Sequence, residues 1–356
     1  MCNTCEEAPY SLIDKSYLDL LYADLWVEKA LGLKEISRIA KAEMRLRKYL
    51  EGKWNVRRSE ATKSAISLAK NRKSYKTISS SINRIMNKWS RDVLPVYNSE
   101  MREVYKLARI AGYKKASGKT SASLQFNIPK TTPIKKADSN ISVDFDLVDE
   151  NTMEALENRN IFWVGEHYDK NISDSVKDTA KSVMVEAGES TSLAGQLMGE
   201  RIKEILSKFI TPGGFVGTEK QYFEGLVSNA MTVGRVYGQM RSFSQIGITR
   251  YEIVNPGGSR MCEVCASLQG KTFDVKQGLE QITKEFKSSS PEDIKKIHPW
   301  LASSKVIGKS SDSLASMGLS LPPYHFRCRC TIDVSSEVES FEDLTPVPFP
   351  VPSKAA

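Results

Sequence analysis

Two groups of potential metal ligands constrain the fold of this chain more than any other feature of its sequence. The first is Cys262-x-x-Cys265, the second is His325-x-x-Cys328-x-Cys330, and 59 residues separate them. A Cys-x-x-Cys pair on a turn lets both sulfurs reach one ion, and two cysteines two positions apart on an extended chain point to the same face. The spacing therefore predicts one metal site that draws on both groups.

Zinc is the expected ion, because thiolate and imidazole ligands suit it and its structural sites are tetrahedra of four ligands. The sequence offers five ligands, so we expect either His325 or one cysteine to lie outside the coordination sphere, where it orients a ligand or hydrogen bonds to a thiolate. Two alternatives stay open: reduced cysteines in a protein core, and a redox pair or disulfide, which a reducing compartment disfavours.

A catalytic use of these residues is the weaker interpretation. Cysteine and histidine can act as nucleophile and base, but the sequence has no His-Glu-x-x-His, Gly-x-Ser-x-Gly or phosphate-loop motif. The contexts of His167 and His298 predict structural helix positions. The pair Cys2 and Cys5 offers two ligands close to a chain terminus, where fraying is common. We therefore predict no catalytic residues.

Composition indicates a globular protein without a membrane segment. The 356 residues are 40% hydrophobic and 26% charged, and no run approaches the roughly 18 to 20 apolar residues that a spanning helix needs. The first residues do not resemble a secretion signal, and six cysteines are too few for a disulfide framework. These observations predict a cytosolic protein.

Charge is distributed unevenly along the chain. Residues 1–136 carry 28 Lys and Arg against 13 Asp and Glu, whereas residues 137–356 carry 23 against 30. Clustered cations favour a polyanionic or acidic partner, although a solvated helix surface is the plain alternative. Five cations fall off the apolar stripes and are predicted to face outward and contact nucleic acid or an acidic partner without reading base sequence: Arg45, Arg57, Arg58, Arg72 and Lys73.

Hydrophobic periodicity predicts a mainly α protein with a small α+β C-terminal domain. Residues 1–113 read as a basic bundle of four or five helices, with breaks at Gly32, Gly52 and Pro95. A stretch rich in Lys, Ser, Thr and Pro predicts a polar linker over 114–140.

The remainder divides into three predicted regions. Residues 141–247 hold a short strand over 141–148, a helical hairpin and a long helix over 218–245. Residues 248–334 form a strand-containing Cys/His module with an insertion at 279–319, in which Ser290 caps a short helix. The acidic, proline-rich tail over 335–356 is expected to be extended and mobile.

The order of these motifs resembles the phage Mu F-like head morphogenesis family. The resemblance is carried by the Cys-x-x-Cys segment after a long helix and a strand, and by the Pro322-Pro323-Tyr324-His325 lead into the second ligand group, and it covers roughly residues 144–334. Departures occur at Ser259, Met261 and Gln269, where the family usually has an acidic residue, Thr and Asp.

The resemblance implies a minor head protein of a tailed phage or prophage, present in few copies at the portal vertex and acting in head morphogenesis and in genome packaging or delivery. Its implied partners are the portal or another head component and packaged double-stranded DNA, with no membrane. It implies location first in the host cytoplasm and then in the virion head. Competing hypotheses are a free, zinc-supported DNA-binding protein and an effector enzyme that uses the Cys/His cluster.

Overall fold

Three helices make up the first part of the described chain. The computed structural model describes residues 33–119, 136–137, 140–141, 145–165, 170–210, 216–255, 261–288, 290–335 and 346–350. The helices are α1 (Leu33–Lys70), α2 (Tyr75–Met86) and α3 (Lys88–Lys119). The α2 helix starts after Ser74, whose hydroxyl accepts a hydrogen bond from the N–H of Thr77.

Two of the predicted helix breaks are wrong, because Gly52 lies inside α1 and Pro95 lies inside α3. A helical glycine costs about 1 kcal/mol and an interior proline about 3 kcal/mol. Burial on both sides offsets these costs: Leu50 and Trp54 flank the glycine in the core, and Val93 and Tyr97 flank the proline. Gly32 and the rest of residues 1–32 lie outside the described residues.

The region after α3 begins with a short strand pair and continues as helices. The strands β1 (Lys136–Ala137) and β2 (Asn140–Ile141) pair antiparallel. The strand predicted over 141–148 is wrong at its end, because α4 (Leu147–Gly165) starts there. Asp146 and Asp149 explain the start of α4, since each carboxylate accepts a hydrogen bond from the backbone N–H of the other.

Two further helices, α5 (Lys170–Glu186) and α6 (Thr191–Ile205), pack against each other, and α5 also packs on α2. The turn between them uses Gly188 at φ 50°, a left-handed conformation that favours glycine. Ser190 then caps α6 by accepting a hydrogen bond from the N–H of Leu193. A short antiparallel pair follows, β3 (Phe209–Ile210) with β4 (Val216–Gly217).

The long helix α7 (Glu219–Ile246) is buried over most of its surface and leads into a small sheet. Gly247, at φ 84°, ends the helix as predicted. The sheet is antiparallel in the order β6-β5-β7, from β5 (Arg250–Val254), β6 (Thr272–Asp274) and β7 (Thr331–Val334). Because Val254 lies opposite Thr331, the end of β5 adjoins the start of β7.

The predicted insertion over 279–319 is part of the core rather than an appendage. Its first residue lies inside α9 (Val275–Phe286), where Leu279 and Ile282 are buried. It continues through α10 (Pro291–Ile297), α11 (Ser303–Val306) and α12 (Ser311–Ser316). The prediction that Ser290 caps a helix is confirmed.

Residues 346–350 lie along α7, so the prediction of a mobile tail is wrong for this stretch. The N–H of Val347 donates to the carbonyl of Ser244 at 3.1 Å, and the hydroxyl of Ser244 donates back at 2.5 Å. Phe349 is buried and contacts the ring of Phe286. These contacts satisfy backbone groups and bury an aromatic ring, which composition alone does not reveal.

Contacts divide the chain into two units that are discontinuous in sequence, unlike the consecutive domains expected from composition. Unit 1 takes the described residues of 1–44, 99–159 and 227–356, and unit 2 takes those of 45–98 and 160–226. Of the predicted linker, residues 114–119 belong to α3, and most of the remainder lies outside the described residues.

The fold class is confirmed at its coarse level. Helices account for 72% of the described residues, and the three-stranded antiparallel sheet lies near the C-terminus. Among the described helices, none combines the length and the apolar character that crossing a membrane requires.

Candidate metal centre

The first ligand group sits at the start of the short helix α8 (Glu263–Leu268) in unit 1. Cys262 is the N-cap residue, and its Sγ accepts a hydrogen bond from the N–H of Cys265 at 3.4 Å. The carbonyl of Cys262 accepts from the N–H of Ala266 at 2.8 Å, which closes the first turn. This turn holds both sulfurs on one side of the helix start.

The second ligand group lies on a tight turn just before β7. The N–H of Cys328 donates to the carbonyl of His325 at 3.1 Å, and Arg327 takes a left-handed φ of 69°. His325 Nδ1 donates to the carbonyl of Phe326 at 2.8 Å. That bond keeps a proton on Nδ1, so a metal ion would bind Nε2 and displace the proton that Nε2 carries in the metal-free cluster.

The two groups meet as the spacing predicts. His325 Nε2 lies 3.3 Å from Cys262 Sγ and 3.0 Å from Cys265 Sγ, and Cys265 Sγ lies 3.9 Å from Cys328 Sγ. The ligand atoms form two triplets, and within each triplet the atoms lie within 4.8 Å of one another. One triplet is Cys262, Cys265 and His325, and the other is Cys265, Cys328 and Cys330. A zinc–sulfur bond of about 2.3 Å requires sulfurs about 3.8 Å apart in a tetrahedron, so the spacings are compatible with a metal ion.

The electrostatics of the cluster prepare it for a cation. Burial alone would raise the pKa of Cys328, but hydrogen bonds from Cys265 and Cys330 outweigh burial and hold that pKa well below its usual value. Burial likewise opposes protonation of His325, yet the Cys328 thiolate raises the pKa of that imidazole to about 9. The four cysteines are buried, so a divalent ion would replace shared protons in a site with little water.

The α7 helix fixes the backbone that carries the second group. Thr232 Oγ1 donates to the carbonyl of Cys328 at 3.0 Å, and Ser228 Oγ donates to the same oxygen at 3.4 Å. Arg235 Nη2 donates to the carbonyls of residues 329 and 330, at 3.1 Å each. These bonds occupy buried carbonyl oxygens that no strand partner reaches.

Two amides extend this support into the sheet. Gln239 Nε2 donates to the carbonyl of Ile332 at 2.9 Å, and its Oε1 accepts from the hydroxyl of Thr331 at 2.9 Å. Asn255, at the end of β5, points Nδ2 at Cys330 Sγ from 3.5 Å. A donor to sulfur stabilises a thiolate, whether that thiolate binds the ion directly or lies beside it.

Sequence reasoning missed most of this support. Ser228, Thr232 and Gln239 fall with Arg235 at spacings of four, three and four residues, which places all four on one face of α7. All four are buried. The detectable signal was a stripe of polar residues at helical spacing within α7, because buried polar groups need fixed partners.

The five predicted binding cations belong to unit 2, whereas the Cys/His cluster belongs to unit 1. Two of them form ion pairs, Arg57 with Asp92 and Glu60 and Arg58 with Glu219, and their side chains are only partly exposed. The guanidinium of Arg72 donates to the carbonyl of residue 188, although its side chain is exposed. Arg45 and Lys73 are exposed.

Among the remaining histidines and cysteines, the structure describes His298, which lies outside the ligand cluster. His298 ends α10 and is buried, with Nδ1 2.8 Å from Glu285 Oε1, a structural position as predicted. The hydroxyl of Tyr237 donates to the other oxygen of Glu285 at 2.7 Å, and Arg159 pairs with the same carboxylate. His167 and the pair at positions 2 and 5 lie outside the described residues.

Comparison of this chain with protein-family models, with curated proteins and with solved structures finds no match. The resemblance to the Mu F-like family therefore rests on the motifs and their order.

Proposed function

We propose that the Cys/His cluster is a structural zinc centre that holds the C-terminal sheet and α8 together. The observation that carries this proposal is that four buried cysteines and His325 form two triplets that share Cys265, with the ligand atoms of each triplet within 4.8 Å of one another. A catalytic zinc keeps one position open for water or substrate. The buried thiols and the α7 bonds support a closed site instead, so we propose no enzymatic activity.

The proposed ligands are Cys262, Cys265, Cys328 and either His325 or Cys330. Cobalt substitution separates the two sets, because the charge-transfer absorbance of cobalt grows with the number of thiolates bound. If His325 is the fourth ligand, Cys330→Ser keeps the parent absorbance and His325→Ala loses affinity. If Cys330 is the fourth ligand, His325→Ala keeps the parent absorbance and Cys330→Ser loses affinity.

Metal analysis tests the centre itself. Protein purified under reducing conditions without chelator should hold about one equivalent of zinc, because closed sites with several thiolates bind zinc strongly. A chain that is folded and free of metal under these conditions would refute the proposal.

For the chain as a whole we propose the role of a minor head protein of a tailed phage or prophage. Support comes from the order of long helix, strand, Cys-x-x-Cys and the proline-led second ligand group. The role includes few copies at the portal vertex, with portal protein and packaged double-stranded DNA as partners, and assembly in the host cytoplasm before residence in the virion head. A basic N-terminal helical bundle and an α5–α6 hairpin complete the proposed architecture.

Mass spectrometry of purified particles tests this role. The chain should be present at a few copies per particle and should sediment with DNA-containing heads. Its absence from heads of a phage or induced prophage that encodes it would exclude the role, and the two alternatives, a free DNA-binding protein and an effector enzyme, would then have to be tested.

A further inference from the structure

The strongest charge feature outside the metal centre lies in unit 2, in the stretch 61–91. It contains eight Lys and Arg and no acidic residue, since Glu60 and Asp92 flank it. The stretch covers the end of α1, the turn after it, α2 and the start of α3. The two helices α1 and α2 lie side by side here, because Ser64 Oγ is 3.0 Å from Ser81 Oγ.

All eight cationic side chains of this stretch are exposed. Within the part of the chain that the structure describes, none of them forms an ion pair with a carboxylate. Arg57 and Arg58 just before the stretch are different, because their charges are neutralised by acidic neighbours. The stretch 61–91 therefore carries eight exposed cations and no carboxylate of its own to neutralise them.

The cations follow the surface of the helices in a regular way. Lys76, Ser80 and Arg84 are four residues apart on α2 and are exposed, so they lie on one face. At 1.5 Å per residue, about 12 Å separates the first from the last along the helix axis. Lys88 and Arg91 extend the series onto α3.

Folding stability does not account for this arrangement. Arg72, Lys73 and Lys76 surround the N-terminal end of α2, whose first turn has no acidic residue. Positive charge at that end opposes the helix dipole and costs about 0.3 to 1 kcal/mol per charge at low salt.

The chemistry of the surface favours a phosphate backbone over a protein or a single strand. The exposed large hydrophobic side chains among the described residues all lie outside 61–91. Protein interfaces depend on aromatic and apolar anchors, and single-strand binding depends on stacked aromatic rings. Phosphate oxygens accept hydrogen bonds from Lys, Arg, Ser and Asn, the residue types exposed here, including Asn71 and Ser80.

We propose that the stretch 61–91 binds the phosphate backbone of double-stranded DNA without reading its sequence. This inference rests on the DNA partner in the proposed function and assigns that contact to a surface. It replaces Arg57 and Arg58 with Lys63, Lys76, Arg84 and Lys88 as the binding residues.

The test measures anisotropy of a labelled random-sequence duplex of 30 base pairs over a series of KCl concentrations. The variant carries Lys63→Gln, Lys76→Gln, Arg84→Gln and Lys88→Gln, because glutamine keeps a similar helix propensity. The control carries Gln at Lys276, Lys284, Lys305 and Lys309, four exposed lysines of unit 1. Both proteins lose four positive charges.

Each phosphate contact contributes about 0.9 to the slope of log K against log salt. The variant slope should therefore be smaller than the parent slope by about 3.6, whereas the control slope should change by less than about 1. Should circular dichroism show lost helix in the fourfold variant, the pair Lys76→Gln and Arg84→Gln replaces it, with an expected change of about 1.8.

Equal slopes for parent and variant would overturn the inference. It would also be overturned if the parent bound polyglutamate but not the duplex, because the partner would then be an acidic protein. Particle analysis keeps this result separate from the proposed function. If the chain is present in heads but does not bind DNA, only the inference about 61–91 is refuted. If the chain binds DNA but is absent from heads, only the proposed head role is refuted.

Discussion

Replacing Arg235 with methionine tests whether α7 positions the metal ligands. The substitution keeps most of the buried stem and removes two hydrogen bonds of 3.1 Å to the carbonyls of residues 329 and 330. Bonds to a charged donor contribute about 1.5 to 3 kcal/mol each, so unit 1 should lose about 3 to 6 kcal/mol of stability. Only part of this lost free energy should appear as weaker zinc binding.

Residues that orient metal ligands typically change metal affinity 10- to 100-fold, which corresponds to about 1.4 to 2.7 kcal/mol. We expect Arg235→Met to weaken zinc binding within this range, measured by competition with a chromogenic chelator at a temperature where circular dichroism shows intact helix. Arg201→Met is the matched control, because Arg201 is half-exposed and pairs with Glu186 on the protein surface. Its zinc affinity should equal that of the parent.

Arg235→Lys provides a second measurement if the methionine variant is poorly folded. Lysine keeps the charge but has a shorter side chain without a planar guanidinium, so its ammonium group does not reproduce the position of Nη2, which donates to both carbonyls. It should give a smaller loss of affinity in the same direction. If both folded variants bind zinc as tightly as the parent, α7 does not position the ligand turn and the reasoning is refuted.

Three further predictions concern stability. Chelator treatment of the reduced protein should lower the melting temperature of unit 1, and so should Cys328→Ser, because the free energy of metal binding adds to the free energy of folding. Calorimetry that shows the same melting curve with and without metal would contradict this. Gly238→Ala should lower the free energy of unfolding by about 1 to 3 kcal/mol, because a Cβ there would lie 2.5 Å from the carbonyl oxygen of Tyr105. Gly52→Ala should raise it by about 0.5 to 1 kcal/mol, because a Cβ at that position would meet nothing within 4 Å; urea unfolding measures both. Burial, aided by the charge of Arg159, lowers the pKa of His298 to about 3, so stability should fall as pH drops from 6.5 towards 3, by on the order of 2 kcal/mol at pH 5. His298→Asn should remove that part of the acid sensitivity, and an unchanged dependence on pH between 7 and 5 would count against it.

Local signals predicted the mainly helical class and the grouping of the candidate metal ligands, because both depend on spacing. Gly247 and Ser290 end and begin helices through backbone conformation and capping, which act over a few residues. The Cys-x-x-Cys turn needs four consecutive residues to place two sulfurs together. Such features were readable without knowledge of the rest of the fold.

Predictions failed where distant residues decide the outcome. Gly52 and Pro95 carry local breaking signals, yet the buried residues around them keep the helices continuous. The ion pair of Arg57 with Asp92 was not predicted, because these residues are 35 positions apart and adjacent only in the folded chain. Charge counting identifies a basic segment, but the neutralised charges can be told from the available ones only when partners are known.

Periodicity and ligand spacing are properties of neighbouring residues, so the mainly helical class and the five candidate ligands could be predicted without the fold. Which polar groups support those ligands depends on residues that come together only in the folded chain. The carbonyls of residues 328, 329, 330 and 332 accept hydrogen bonds from the polar face of α7, about 100 positions earlier in the chain. Buried carbonyls need such donors because water does not reach them.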